Sequence, residues 1–136
     1  MDDLQKSAKI AAAGMQAQSV RMRAISENLA NAESLPRSAD ALPYRRKVVT
    51  FKKVLDRELG AETVKVNRIT ADKADFGKKF DPSHPAADRD GYVLTPNVNP
   101  LIELMDMREA QRSYEANLTA INNAKAMLQR TVEMLR

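Results

Sequence analysis

The residues that could do chemistry are few, and their spacing decides what they can do. His84 is the only histidine and lies near Asp81, Asp88 and Asp90 in a proline-punctuated stretch. One imidazole with scattered carboxylates lacks the second strong ligand that a transition metal needs, and the acids miss the alternate spacing and closing Glu of a calcium loop. Turn formation and capping are the expected roles of this stretch. Arg45, Arg46, Lys47, Lys52, Lys53 and Arg57 place six cations in a short run with Asp56 as the only acid among them. A phosphate-binding strip is one reading; a solvated strand face, or salt bridges to acidic neighbours, is the other. No aromatics repeat at the spacing that stacks single-stranded bases. With four scattered glycines there is no phosphate loop, and the serines have no nucleophile-elbow context. No cysteine is present, which removes thiol nucleophiles, disulfides and thiolate metal sites and leaves a chain that tolerates oxidising surroundings. Neither an enzyme nor a cofactor or metal protein is expected.

The elements that carry these residues divide the 136-residue chain into three segments. All six prolines lie between Pro36 and Pro100, so helix breakers are confined to the middle. Residues 1–33 carry a seam at Leu4, Ala8, Ala11, Met15, Gln18, Met22, Ile25 and Leu29. Residues 101–136 carry another at Leu104, Met107, Gln111, Tyr114, Leu118, Ile121, Lys125, Leu128, Val132 and Leu135. Both alternate steps of three and four, the 3.5-residue period of a coiled coil. Asn99-Pro100 reads as the cap and first turn of the second helix. Further apolar positions flank the seams: Ala12, Ala13, Ala17, Ala24 and Ala30 on the first helix, Met105, Ala110, Ala120, Ala124, Met127 and Met134 on the second. They suggest packing beyond a simple hairpin.

The middle segment, residues 34–100, reads as a small, loop-rich β domain. Strands are expected over residues 44–51, 63–70 and 91–95, a short helical turn over 54–60, and loop from 71 to 91. The fold class is therefore α+β: long terminal helices paired as a coiled-coil domain, with a β-containing middle. The composition is rich in alanine and methionine and poor in aromatics, which makes a thin core for this length. No run of apolar residues is long enough to span a membrane, and the first residues lack the pattern of a cleavable signal peptide. The formal charge of +4 is mildly basic.

Ser26-Glu27-Asn28-Leu29-Ala30-Asn31-Ala32 places two amides three apart beside the seam, and Asn117, Asn122 and Asn123 do the same on the far helix. Asn31 can cap a helix end. The alternative is that Asn28, Asn31 and Asn117 set register between packed helices, as buried amides do in coiled coils. On that view, replacing Asn28 and Asn31 by Ala spoils order more than stability. Leu118, in the seam, is expected to be sensitive to a carboxylate, and Arg46, on a wet strand, to be indifferent to Ser.

The 26–32 stretch, with Gly14-Met15-Gln16-Ala17-Gln18 before it, resembles the N-terminal signature of the bacterial flagellar rod, hook and hook-associated proteins. Pro43-Tyr44-Arg45-Arg46, Asp81-Pro82-Ser83-His84-Pro85, Gly91-Tyr92-Val93 and Pro96-Asn97-Val98-Asn99 are similar to the proximal-rod branch of that axial family. Arg112-Ser113-Tyr114-Glu115-Ala116-Asn117 resembles its C-terminal signature. Distal-rod and hook proteins usually follow Asn-Leu-Ala-Asn with a Thr-x-Gly-Tyr-like element, whereas here Glu33-Ser34-Leu35-Pro36 follows Ala32. The resemblance implies a structural subunit of the basal body that leaves the cell through the flagellar type III export apparatus without a cleaved signal. It further implies stacking with other rod proteins and copies of itself into a hollow, torque-transmitting shaft across the periplasm. Met15, Met22, Ile25, Leu29, Tyr114, Leu118, Ile121 and Leu128 are the expected inter-subunit packing residues. No nucleic acid, small-molecule substrate or membrane span is expected among its partners. The rival readings are a nucleic-acid-binding module using residues 45–57 and a stand-alone helical adaptor.

Overall fold

In the computed structural model, which describes residues 2–136, the chain runs α1 (Asp2–Ala30), β1 (Lys47–Asp56), β2 (Ala61–Ala71), β3 (Gly77–Phe80), β4 (Tyr92–Thr95) and α2 (Pro100–Met134). Two helices thus bracket a middle made of two small sheets, an α+β architecture. α1 opens with Asp2 and Asp3, acids that suit the positive end of the helix dipole. It ends where the Asn31 backbone N–H and side-chain amide both donate to the Glu27 carbonyl, at 3.1 and 2.8 Å. α2 starts as its sequence suggests. The Asn99 side chain accepts from the Leu101 N–H at 3.1 Å, and Pro100 occupies the first helical position, where a missing N–H costs nothing.

The β1–β2 connection shortens the helical turn expected over residues 54–60 to a single turn from Asp56 to Gly60, where the Gly60 N–H donates to the Asp56 carbonyl at 2.8 Å. Val54, Leu55 and Asp56 finish β1. The Asp56 carboxylate then accepts from the N–H groups of Glu58 and Leu59 at 3.1 and 3.2 Å, and Gly60 adopts φ 69°. The side-chain ties and the left-handed glycine close the turn after one round, so no longer helix forms. So short a connection permits only antiparallel pairing. Residues 71–91 are not all loop either, because Gly77–Phe80 forms β3, paired antiparallel with β4 from Gly77↔Thr95 to Phe80↔Tyr92. In the link between them, the Asp88 carboxylate accepts from the N–H groups of Asp90 and Tyr92, both at 2.9 Å, and His84 Nδ1 accepts from Ala86 N–H at 3.0 Å. The acids and the histidine of this stretch thus shape a turn.

The chain forms two compact units, each built from parts of both helices and of the middle. The first comprises the described residues of Met1–Met22 with Val49–Arg68 and Arg108–Arg136. Here α1 and α2 run antiparallel, with Gly14 against Asn117 and Arg21 Nη2 3.5 Å from Glu109 Oε2. A Cβ on Gly14 would lie 2.9 Å from Asn117 Nδ2, so the missing side chain is what lets the helices approach there. Ala11, Ala17, Ala110 and Ala124 are buried.

The second unit comprises Arg23–Val48 and Ile69–Met107. It buries Ala24, Ile25, Ala86 and Val93 together with two polar side chains, Asn28 and Glu103.

The inward face of α2 is half of the one expected. Met107, Tyr114, Ile121 and Leu128 are half-buried as the seam requires. The other row is displaced by one residue: Glu103, Ala110, Asn117, Ala124 and Thr131 turn inward, whereas Leu104, Gln111, Leu118, Lys125 and Val132 are exposed. Close approach selects small side chains for that row and leaves the larger ones outside. On α1, Ala17 and Ala24, assigned to a second apolar surface, are already covered within the chain.

Candidate functional site

Glu103 and Asn28 are 0% and 1% exposed, the two most buried polar residues described, and they meet in the second unit. Asn28 Nδ2 donates to Glu103 Oε2 at 3.1 Å and to the Lys47 carbonyl at 3.0 Å. Its Oδ1 accepts from the Lys47 N–H at 2.8 Å and the Tyr44 hydroxyl at 2.7 Å. Two donors and two acceptor positions are all an amide has, so this one is saturated. The other Glu103 oxygen, Oε1, accepts from Arg46 Nε. The same guanidinium reaches Asp72 Oδ2 at 3.3 Å and Asp106 Oδ2 at 3.4 Å. Around it, the Arg46 N–H donates to Asn97 Oδ1 at 2.7 Å, and Asn97 Nδ2 donates to the carbonyls of Asp72 and Ala74, both at 3.0 Å. One arginine and two asparagines therefore tie together the end of α1, the approach to β1, the exit of β2 and the first turns of α2.

The electrostatics follow from this geometry. Burial works against the Arg46 charge, and the hydrogen bonds and charges of Glu103 and Asp72 outweigh it, holding the guanidinium above its usual value. Burial raises the Tyr44 hydroxyl, with Lys47 opposing and Glu27 and Glu103 adding to it. Lys47 Nζ lies 2.5 Å from Glu27 Oε2, which raises the ammonium. Asp72 is held below the ordinary carboxylate value, first by the backbone N–H of Ala74, against the opposing effect of burial, and further by Arg46 and Arg45. A carboxyl lowered on folding adds stability above its unfolded value, near pH 4, and that stability is lost as pH falls through the folded value. Asp72→Asn is therefore expected to flatten the acid limb of the stability curve below about pH 4. Parallel acid titrations followed by circular dichroism check this; superimposable limbs refute it.

Arg46 is thus not on a wet strand face, which corrects that expectation; its acidic partners come from its own chain. Arg45 stacks over the Phe76 ring at 4.1 Å and donates to the Asp72 carbonyl at 3.0 Å. Of the six cations in residues 45–57, the first three are engaged within the second unit. Ile25 is buried, and Met15, Met22, Leu29, Tyr114, Ile121 and Leu128 are half-buried, while Leu118 is 41% exposed. Among the amides, Asn28 is buried and saturated, Asn31 bonds only its own helix, and Asn117 donates to the Ser113 carbonyl at 2.9 Å while facing Gly14. Sequence reasoning missed Tyr44, Arg46, Asp72, Asn97 and Glu103 as a group. A usable signal was present at Glu103, the one charge in the apolar run Leu101–Met105. Among the described residues, no cluster of three or more His, Cys, Asp or Glu is arranged to hold a metal, and no helix is long and apolar enough to cross a membrane.

The buried charges here are spent on holding chain segments together, and long helices at both ends flank them; this is the architecture of a structural subunit. Residues 89–134 match the family described as flagellar basal body rod FlgEFG protein C-terminal. Over 136 residues the chain is 48% identical to the flagellar basal-body rod protein FlgC of Agrobacterium fabrum, covering all of this chain and 98% of that one. Its identity to FlgC of Bacillus subtilis is 38%, over 94% of this chain and 95% of the relative, and to FlgC of Salmonella typhimurium 37%, over 92% of each. The chain belongs to the FlgC family of flagellar basal-body rod proteins. It is a structural protein of the bacterial flagellar basal body, in its rod.

Proposed function

We propose that the chain is a proximal-rod subunit that passes through the flagellar type III export apparatus without a cleaved signal and assembles, with other rod proteins and its own copies, into a hollow torque-transmitting shaft. Residues 1–33 and 101–136 form the helical layer, pairing as a coiled coil, and residues 34–100 form the smaller β-containing part. Met15, Met22, Leu29, Tyr114, Leu118, Ile121 and Leu128 pack between subunits, Ile25 is already buried within the chain, and Asn28 and Asn117 fix register, whereas Asn31 bonds only its own helix. Nucleic acid, small-molecule substrates and the membrane interior have no place in this role.

The observation that carries the reading is the outer row of α2. Leu104, Leu118 and Val132 recur at fourteen-residue intervals, alternating with Gln111 and Lys125, and are left exposed while small or polar residues turn inward. Such a face is covered once neighbours pack on it. The test is Leu118→Asp in a flagellated cell lacking its own copy. The purified variant should melt like the parent, because residue 118 is exposed. In the cell it should be exported, yet yield at least tenfold fewer complete basal bodies, since a carboxylate would be desolvated in the assembled rod. Normal basal bodies and normal swimming would refute the assignment of this face.

A further inference from the structure

Gln18 is the one polar residue in the seam of α1. Its Oε1 is buried and accepts no hydrogen bond, and no other side-chain nitrogen or oxygen among the described, unexposed residues is left in that state. An unpaired buried acceptor is costly, and folded chains keep few of them. Asn28, by contrast, has every bonding position filled. Gln18 lines a cavity of about 340 Å³ within the first unit, to which α1, β1, β2 and α2 all contribute. Ile10, Phe51 and Val64 give the cavity apolar walls, and Gly14 has no side chain to fill it. Asn117 lines it as well, but its amide donates to the Ser113 carbonyl and not to Gln18. Lys53 and Glu62, both exposed, add one charge of each sign to the lining.

We propose that this cavity binds a small, uncharged aromatic molecule carrying one N–H or O–H donor, the class of the indoles and phenols. Its volume lies at the small end of ligand pockets, which run from about 300 to 1,000 Å³, and so suits one or two rings. The orphan acceptor sets the polarity, because whatever meets Gln18 Oε1 must donate. Phe51 offers a ring for edge or offset contact. Lys53 and Glu62 cancel, so a charged ligand finds no net counter-charge. A water molecule can meet the acceptor but leaves Ile10, Phe51 and Val64 uncovered, whereas an aromatic donor satisfies both kinds of wall. Such a molecule binds the folded first unit and not the unfolded chain, so it stabilises the subunit by mass action.

The test titrates indole into the purified full chain, with benzofuran as the probe of the same shape that has lost its donor. Indole should raise the melting temperature with concentration, and nuclear Overhauser contacts should join its ring protons to the Val64 methyls. Benzofuran should bind roughly tenfold more weakly, as the loss of one hydrogen bond to a buried acceptor dictates. Gln18→Met keeps the length of the side chain and removes the acceptor. It should melt no lower than the parent, because no hydrogen bond is lost, and it should bind the two probes to within about twofold of each other. No melting shift with indole up to its solubility limit, equal binding of the two probes by the parent, or contacts outside the cavity would each overturn the proposal, and none of these needs a variant. A preference for indole retained in Gln18→Met would overturn it too, as would a lower melt of that variant, which would give Gln18 a partner already.

Discussion

Exchanging Arg46 for methionine should cost the purified chain about 3–5 kcal/mol of unfolding free energy, the usual range for removing one partner of a buried ion pair. Three carboxylates lose their shared counter-charge, and Glu103 has no solvent to replace it. The loss should fall on the second unit, so amide exchange should accelerate there first. Arg46→Lys should recover only part of it, because a single ammonium lacks the planar fork that reaches Glu103, Asp72 and Asp106 together. Urea unfolding of the three proteins provides the comparison. A loss below about 1 kcal/mol would show that the guanidinium is replaceable and the network incidental.

Asn28→Asp is the second large effect. The substitution removes both donors of the amide and sets a new carboxylate against Glu103, so at pH 7 a loss of about 3 kcal/mol or more is expected. Asn28→Ala should cost less, roughly 2 kcal/mol, by leaving the Tyr44 hydroxyl, the Lys47 N–H and a Glu103 oxygen short of partners. Asn31→Ala should stay within about 0.5 kcal/mol, because its amide bonds only its own helix. This separates two residues that the sequence treats as a pair: the expected cost in stability lies at Asn28. Acid supplies a further check. Burial beside Glu103 would raise the introduced carboxyl above its unfolded value, so the variant should regain stability relative to the parent as pH falls from 7 towards 5. Asn28→Asp with parental stability at pH 7 would contradict the hydrogen-bond assignment.

The two long helices were legible because proline is confined to the middle and the apolar residues recur at a helical period. Their true inward face was only half legible. Periodicity favours the larger apolar side chain at each step, so it chose Leu104 over Glu103 and Leu118 over Asn117. Close helix contact instead selects alanine, and a buried acid is admitted where an arginine waits for it. That arginine lies 57 residues away in sequence, and no local pattern announces such a pairing. β3 was illegible for a related reason. Gly77-Lys78-Lys79-Phe80 has no alternation of its own, is exposed along its length, and takes its conformation from pairing with β4. The turn after β1 depended on one carboxylate capping two amides, a choice that helix propensity does not register.

The bond between Asn28 and Glu103 joins residues 75 positions apart, which has a consequence for the order of events during folding. Closing so long a loop costs chain entropy before any contact rewards it, and contacts of this reach form late. Until the start of α2 is present, Asn28 and Arg46 have no Glu103 to meet, and the segments between them lack the tie that fixes them. A chain formed from its N-terminus would therefore stay pliant through all four strands and set only when the second helix follows.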